Sequence, residues 1–317
     1  MSANGALRDL ETAWAKRAGE PTVRVFHGPG ESKGPLARLA IERFGAHYWV
    51  YEWETEGADQ ASDLRPSLDL VTSFLRDRGA ESAVYLSRPV GQTPAPSPEV
   101  LFGSPPEHFD ATEDGAKFRI RFRNTRHPGL FLDHRPLRQW LAREVGTRTA
   151  LNTFAYTGSL SVASAIGGAA RVVTLDLSKP TVQWAKENWD LNGLEASRGD
   201  FIFGDVFEWL PKLAKRGDRF GAVILDPPSF SRGTKGTFST AKDLARLHEL
   251  ALGVLDRRGL LVTSINSAKV RHERYRDEVE AAGRAAKRRL REVAKLGAPR
   301  ESFPGAGYLK GWIFEAD

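Results

Sequence analysis

Ala222-Val223-Ile224-Leu225-Asp226-Pro227-Pro228-Ser229-Phe230 joins an apolar run to an acid, two prolines, a hydroxyl group and an aromatic ring. A short apolar run bounded by turn signals predicts a strand that is buried on both faces, as in parallel sheets. Consecutive prolines fix the backbone and remove two N–H donors. We therefore expect the strand to end at Asp226 and the loop after it to be rigid.

The sequence on both sides repeats this pattern. Buried strands are predicted at 150–154, 171–176, 201–203, 222–226 and 260–265, and helices at 159–166, 179–192, 206–215 and 241–255. Repeated strand–helix units of this length build a parallel sheet with helices on both faces. Residues 308–315 add a predicted antiparallel edge strand. The predicted fold class is α/β, a doubly wound Rossmann-like domain with a mostly parallel seven-stranded sheet.

A smaller α+β domain is predicted before it. We expect an N-terminal extension at 1–21, a small domain for RNA or substrate at 22–128 and the doubly wound domain at 129–317. In the small domain, residues 117–123 alternate between apolar and basic side chains, which predicts a strand. Its three arginines, Arg119, Arg121 and Arg123, form either a solvated basic face or a set of phosphate contacts.

Polar residues come after each predicted strand, and in doubly wound sheets ligands bind there. Gly158 starts a helix after the first strand and lets a ligand approach the backbone. Asp176 ends the second strand, where an acid can accept hydrogen bonds from ribose hydroxyls or simply cap a helix. Asp205 comes after the third strand and suits an adenine amino group or the N-cap of the next helix. Nicotinamide enzymes and methyltransferases share this arrangement, so it leaves both open.

The loop after the fourth strand is more specific. Its prolines turn nearby carbonyl groups into a rigid array of acceptors between Asp226 and Ser229, and Phe230 can stack on a planar base. We predict that Asp226, Pro227, Pro228 and Ser229 form the catalytic loop.

Composition narrows the possible chemistry. The 317 residues contain no cysteine, which excludes disulfides, thiolate metal sites and a cysteine nucleophile. The seven histidines show no metal-ligand spacing, so no metal is expected. No apolar run is long enough for a membrane span and no secretory signal is visible, so a cytoplasmic location is expected. The net charge of +6 allows a polyanionic partner without requiring one. A basic helix predicted at 274–295 is either a solvated surface or a phosphate-tracking one.

Several segments resemble the bacterial large-subunit (23S) rRNA methyltransferases, a class I family that uses S-adenosylmethionine. They are 129–135 (Gly-Leu-Phe-Leu-Asp-His-Arg), 151–158 (Leu-Asn-Thr-Phe-Ala-Tyr-Thr-Gly), 184–188, 191–194 and 226–231. The resemblance covers roughly residues 22–317 and is most specific to the guanine-N7 methyltransferase module of the bifunctional 23S rRNA enzyme.

The resemblance implies a set of cofactor-binding residues: His134, Arg135, Phe154, Tyr156, Thr157, Gly158, Asp176, Leu177, Ser178, Asp205 and Val206. It also implies that the 226–230 loop frames the target base. A related group makes 5-methylcytosine, but methylation of a pyrimidine carbon needs a cysteine thiolate to activate the ring. Because this chain has none, nitrogen is the expected target.

The favoured hypothesis is methylation of a base nitrogen of 23S rRNA, with guanine N7 as the first choice. N7 has a free lone pair and needs no general base, so catalysis would rest on proximity and orientation. Alternatives are an exocyclic amine of another RNA or of a protein, or a non-catalytic RNA-binding ribosome-assembly factor with the same fold. RNA is the expected partner, and the oligomeric state is left open.

Overall fold

A computed structural model describes residues 3–53, 63–87, 97–123, 125–197, 199–228, 230–233, 236–268 and 270–317, without the side chains of 3 and 230–242. The chain divides into two compact units. Unit 1 comprises Met1–Leu132 and Pro299–Ala306, and unit 2 comprises Asp133–Ala298 and Gly307–Asp317. The predicted boundary at 128/129 thus differs from this division by a few residues. The return of Pro299–Ala306 to unit 1 was not anticipated.

Unit 1 contains one mixed sheet and one hairpin. Its elements are α1 (Ala3–Arg17), β1 (Thr22–His27), α2 (Gly28–Glu31), a 3-10 turn (Gly34–Arg38), β2 (Leu39–Phe44), β3 (His47–Glu52), α3 (Arg65–Arg76), β4 (Ser82–Leu86), β5 (Glu99–Gly103), β6 (Phe109–Glu113) and β7 (Ala116–Ile120). The sheet has the order β1-β2-β3-β4-β5, and β6 pairs with β7 separately. The predicted N-terminal extension is integrated into this unit, because Leu10 and Ala13 of α1 are buried in its core.

Unit 2 is the doubly wound part. Its elements are α4 (Arg135–Glu144), β8 (Thr149–Thr153), α5 (Ser159–Ile166), β9 (Arg171–Asp176), α6 (Lys179–Leu191), β10 (Phe201–Phe203), α7 (Val206–Arg216), β11 (Phe220–Leu225), β12 (Phe230–Gly233), β13 (Gly236–Ser239), α8 (Thr240–Leu252), β14 (Leu255–Asn266), α9 (His272–Ala285), β15 (Leu290–Leu296) and β16 (Leu309–Ala316). A 3-10 turn, Leu132–His134, precedes α4.

The seven-stranded sheet has the order β10-β9-β8-β11-β14-β16-β15. The strands from β10 to β14 run parallel, and β16 is antiparallel to both of its neighbours. The strand order reverses between β8 and β11, which is where doubly wound sheets bind their ligands. The predicted α/β fold class is confirmed. Residues 308–315 do form an antiparallel strand, but the prediction of an edge position is wrong, since β15 pairs outside it.

The basic helix predicted for 274–295 is confirmed as far as Ala285 and is wrong beyond it. The helix α9 ends at Ala285, and Leu290–Leu296 pairs with β16 as the edge strand β15. Lys287 adopts the left-handed conformation (φ 54°), which stops a right-handed helix. Arg288, one of the cations of the predicted helix, donates to backbone carbonyl groups of Leu252, Leu255 and Asp256.

Burial explains why the sheet holds together. Apolar side chains of β8, β9, β11 and β14 form one core with those of α7, α8 and α9. Leu151, Val223, Leu225 and Leu261 are fully inaccessible within it. Each such side chain contributes about 1.5–3 kcal/mol relative to an exposed one. The core therefore fixes the carboxyl ends of these strands, where the site residues lie. Among the described residues, no helix is long and apolar enough to cross a membrane.

Candidate active site

The predicted site residues of unit 2 come together at one edge of the sheet. Pairing sets Leu225 of β11 beside Thr153 of β8, and Thr153 beside Leu175 of β9. On the far side of β9, Asp176 pairs with Phe203 of β10. The segments that come after these strands are therefore neighbours, although they are far apart in sequence.

The loop after β8 has an unusual backbone. Phe154, Tyr156 and Gly158 all have positive φ angles of 52°, 49° and 74°. Such conformations are costly for residues with a side chain and concentrate at functional sites. At Gly158, a Cβ atom would lie 2.9 Å from the Cβ of Ala185, so glycine is required for close packing of the loop against α6.

Two buried contacts hold this loop. Asn188 of α6 is inaccessible and donates to the carbonyl of Thr157 at 2.8 Å. The backbone N–H of Tyr156 donates to Asp176 Oδ2 at 2.8 Å. Thr157 is itself buried, whereas Phe154 and Tyr156 are partly exposed. The loop therefore presents two aromatic side chains on a fixed backbone.

The carboxylate of Asp176 sits where the sequence predicted it. Besides the Tyr156 N–H, it accepts the N–H of Ser178 at 2.9 Å on Oδ1. Burial raises the pKa of Asp176, and the hydrogen bonds from backbone N–H groups only partly oppose this shift. Each oxygen has a lone pair left. Asp176 therefore organises the loop and can still accept hydrogen bonds from a ligand. Ser178 caps α6 by accepting the N–H of Thr181, and Leu177 lies half-buried between them.

Asp205 is the N-cap of α7. Its side chain accepts the N–H of Phe207 at 2.9 Å, and Val206 beside it is buried. The loop is tied to the preceding strand, because the N–H of Gly204 donates to the Asp176 carbonyl at 2.9 Å. The capping role was one of the two predicted, and the carboxylate of Asp205 is half-buried.

Asp226 lies at the centre of a charged cluster. Its Oδ1 is 3.1 Å from Nε2 of His134 and accepts the Ser264 hydroxyl at 2.5 Å. The other ring nitrogen of His134, Nδ1, is 3.1 Å from Asp133 Oδ1. Among the described residues, none forms a hydrogen bond or an ion pair with Asp226 Oδ2. We call Asp133, His134, Asp226 and Ser264 the His134 cluster.

The surroundings of His134 favour its protonated form. It is only 6% exposed, and burial alone would lower its pKa. The charges of Asp226 and Asp133 and their hydrogen bonds outweigh burial and raise the pKa of His134 to about 10. The protonated Nδ1 then donates to Asp133, and Nε2 faces Asp226 Oδ1 as an ion pair, so one imidazolium lies between two carboxylates.

The rest of the predicted loop is described in part. Pro227 is buried and Pro228 is exposed. Phe230 begins β12, which pairs with β13. Ser229 and the side chain of Phe230 lie outside the described residues. Arg135 begins α4 directly after His134.

The three arginines predicted to contact substrate lie in unit 1. The strand predicted for 117–123 is shorter than expected, since β7 ends at Ile120. Arg119 pairs with Asp110 at 2.5 Å, Arg121 is half-buried and Arg123 is exposed. The apolar side of the alternation is buried as predicted, at Phe118, Ile120 and Phe122.

Three functional candidates were not singled out from the sequence: Asp133, Asn188 and Ser264. Ser264 comes directly after Thr263, which pairs with Leu225. The rule that polar residues at strand ends face ligands, extended to the fifth strand, would have identified it. Asp133 adjoins His134 but is indistinguishable from a solvated acid in sequence. Nothing in the sequence alone tells that Asn188 reaches the Thr157 carbonyl.

Comparison with known proteins agrees with this geometry. The family described as S-adenosylmethionine-dependent methyltransferase matches residues 23–313. Ribosomal RNA large subunit methyltransferase K of Neisseria meningitidis is 31% identical over 262 residues, which are 80% of this chain and 71% of that protein. Ribosomal RNA large subunit methyltransferase K/L of Shewanella pealeana is 35% identical over 264 residues, which are 82% of this chain but only 36% of that longer protein.

Solved structures share the fold. SMU.776, solved in complex with SAH, superposes with a TM-score of 0.86 at 23% identity and covers 99% of this chain and 82% of its own. A SAM-dependent methyltransferase from Agrobacterium tumefaciens gives a TM-score of 0.68 at 23% identity, over 88% of this chain and 87% of its own. The resemblance inferred from the sequence is confirmed: the chain belongs to the S-adenosylmethionine-dependent methyltransferase family that includes large-subunit ribosomal RNA methyltransferases, and it is an enzyme that uses S-adenosylmethionine.

Proposed function

We propose that this enzyme methylates a base nitrogen of large-subunit ribosomal RNA, with guanine N7 as the favoured atom. The naming of its relatives as ribosomal RNA large subunit methyltransferases supports the RNA class. The observation that carries the choice of nitrogen chemistry is Asp226, a carboxylate fixed by His134 and Ser264 at the switch point of the sheet. Such a substrate also implies a cytoplasmic enzyme.

The residues at the strand ends fit the cofactor. Asp176 keeps free lone pairs and suits ribose hydroxyl groups, and Asp205 suits an amino group. The left-handed backbone at Phe154, Tyr156 and Gly158 opens the loop after β8 toward a ligand. Thr157, Leu177, Ser178 and Val206 complete this wall, and His134 and Arg135 lie at the start of α4. When bound, the cofactor supplies an electrophilic methyl group on a sulfonium.

Asp226 acts in this proposal as an acceptor, not as a general base. Oδ1 faces His134 and accepts the Ser264 hydroxyl, and Oδ2 can accept an N–H of the target base. Guanine offers such donors on its N1–H and N2–H₂ edge, while N7 is an acceptor with a free lone pair. No proton has to leave N7 before transfer. The chain's task is therefore to orient the base, and orientation can supply several kcal/mol of the barrier reduction.

Carbon methylation has no support in this chain. Activation of a pyrimidine C5 requires a thiolate that adds to the ring, and the 317 residues include no cysteine. An exocyclic amine remains the second candidate, because Asp226 Oδ2 and the Pro227 carbonyl could accept its two hydrogens.

Unit 1 supplies cations for the RNA in this proposal. Arg123 is the best placed of the three arginines for a phosphate contact, because its side chain is exposed, whereas Arg119 is paired with Asp110. The apolar side chains that alternate with these arginines, Phe118, Ile120 and Phe122, are buried.

Nucleoside analysis tests the proposal directly. The purified enzyme is incubated with labelled S-adenosylmethionine and 23S rRNA transcribed without modifications, and the digest is separated by liquid chromatography and mass spectrometry. We expect 7-methylguanosine in the wild type and almost none in Asp226→Ala. Labelled N2-methylguanosine or N6-methyladenosine would move the target to an exocyclic amine. Label in 5-methylcytosine, or label only in protein, would contradict the proposal.

A further inference from the structure

We infer that unit 2 carries a second RNA-contacting surface, at the amino ends of β11 and β14, opposite the edge that holds Asp226. We call it the amino-edge patch and define it as Arg219, Arg257, Arg258, Lys287 and Arg289. All five side chains are exposed. The inference rests on the proposed function, because it concerns how the same rRNA is held.

Three chain segments bring the patch together. Arg219 precedes Phe220, which pairs with Leu255 at the start of β14. Between Leu255 and Leu260, four residues of β14 stand opposite the single residue Gly221, because the next pair is Ala222 with Leu260. This bulge carries Arg257 and Arg258.

The third segment is 287–289, and Arg288 at its centre binds it to that bulge. Its guanidinium donates to the carbonyl groups of Leu255 at 3.1 Å and Asp256 at 2.7 Å. Lys287 and Arg289 flank Arg288 in sequence and are therefore held at the same place. The pKa of Arg288 is lowered by burial and then by the charge of Arg257, with a smaller contribution from Arg219. The positive charges are thus close enough to act on one another.

The positive charge of the patch is poorly compensated. Within the described part of the chain, none of the five side chains forms an ion pair. Asp256 and Asp317 are the acids that act on Arg288. Two neighbouring arginines do form ion pairs: Arg216 pairs with Asp218, and Arg291 pairs with Glu315. Unpaired exposed cations in a cluster form a site for a polyanion.

Two of the five residues are held in a conformation that does not favour their side chains. Arg258 and Lys287 have φ angles of 58° and 54°, where glycine or asparagine would be less strained. The structure therefore keeps long cations at two positions at which fold stability favours small residues. Strain of this kind is found where a side chain has a function beyond folding.

The patch and Asp226 are at opposite ends of β11, a strand of six residues that spans about 17 Å at roughly 3.3 Å per residue. A substrate that contacts both must be extended and charged along its length. Ribosomal RNA has both properties, and its phosphates need no sequence-specific recognition.

The double variant R258G/K287G tests this surface. It removes two cations and relieves two left-handed residues, so we expect it to fold with a Tm no lower than that of the wild type. R274Q/R276Q is the matched control, because it removes the same charge from α9, where Arg274 and Arg276 already pair with Glu278 and Glu280. Binding to 23S rRNA transcript is measured by filter retention at several salt concentrations.

For R258G/K287G we expect about tenfold weaker binding and a shallower salt dependence. The slope of log affinity against log salt should fall by up to about 2, since each phosphate that is no longer neutralised accounts for roughly 0.7–0.9. Methyl transfer at saturating RNA should be unchanged.

If R258G/K287G has the same slope of log affinity against log salt as R274Q/R276Q, the inference is overturned, and an acidic protein remains as the partner of the patch. The proposed function would still stand if the wild type methylates the transcript. A wild type that neither binds nor methylates rRNA would overturn both.

Discussion

Two histidines of unit 2 are both buried, but their pKa values are shifted in opposite directions. His134, before α4, is 6% exposed, and His248, in α8, is 0% exposed. The pKa of His134 is raised to about 10 by Asp226 and Asp133 against the effect of burial, whereas burial lowers the pKa of His248 to about 4. Burial therefore does not decide the charge of a histidine here. Its neighbours do.

The neighbours of His248 are neutral. Its Nδ1 lies 2.7 Å from the Leu244 carbonyl, which can only accept, so Nδ1 carries the proton. Nε2 then accepts the Thr263 hydroxyl at 2.8 Å, and Thr263 accepts the Tyr275 hydroxyl at 2.5 Å. This chain, the His248 cluster, satisfies every polar group without charge and connects α8, β14 and α9. The His134 cluster instead uses charge to fix the carboxylate of the proposed reaction.

Removing Asp226 should have the largest effect. In Asp226→Ala the acceptor for the target base is lost, and His134 moves toward the neutral state of His248. We expect kcat/KM for methyl transfer to rRNA to fall about a thousandfold, which corresponds to about 4 kcal/mol. Cofactor affinity by calorimetry should change less than about threefold. Asp277→Ala, at an exposed position of α9, is the control. If kcat/KM of Asp226→Ala stays within about tenfold of the wild-type value, Asp226 is not the residue that orients the target base.

Removing the cation is the next test. His134→Gln leaves Asp133 and Asp226 facing each other without an imidazolium, and we expect a loss of about 3 kcal/mol in the free energy of unfolding by urea at pH 7. The folded pKa of about 10 lies above the ordinary 6.5. The stabilisation is therefore complete below about pH 6.5 and is lost as the pH rises through 10. If the wild type is still more stable than His134→Gln by the same free energy of unfolding at pH 10.5, His134 is not the charged group that stabilises the cluster.

The His248 cluster predicts the opposite dependence. Because the folded pKa of about 4 lies below 6.5, the unfolded chain binds the proton more readily, and stability is lost as the pH falls from about 6.5 toward 4. Between pH 7 and pH 4.5 this loss is about 2 kcal/mol. His248→Gln should lack it, while His108→Gln, at an exposed position, should retain it. If the free energy of unfolding depends on pH in the same way for the wild type and His248→Gln, His248 is not held neutral in the folded protein.

The smallest effect is expected at Ser264. Its hydroxyl donates to Asp226 Oδ1 at 2.5 Å, and Ser264→Ala should cost about 1.5 kcal/mol of stability, since the bond is to a charged group. Methyl transfer should fall by a modest factor, because His134 still holds the same oxygen. A loss of transfer as large as that of Asp226→Ala would mean that Ser264 touches the substrate itself.

Local sequence pattern was enough to predict the doubly wound sheet. Apolar runs located β8, β9, β10, β11 and β14, and the polar residues after them are the ones the structure brings together. The segment after Ala285 was misassigned, because its charged residues fit a surface helix and only pairing with β16 makes it a strand. The His134 and His248 clusters depend on tertiary contacts between distant residues, such as His134 with Asp226, and no periodicity encodes them.

The central claim is that Asp226 is an acceptor held beside a protonated histidine, His134. Nitrogen-15 NMR of histidine-labelled enzyme tests it directly, with His134→Gln and His248→Gln used to assign the two rings. We predict that His134 has two protonated ring nitrogens at pH 7.5 and titrates near pH 10, while His248 keeps a single protonated nitrogen, Nδ1, down to about pH 4. A His134 ring that titrates near the ordinary value of about 6.5 would contradict the claim.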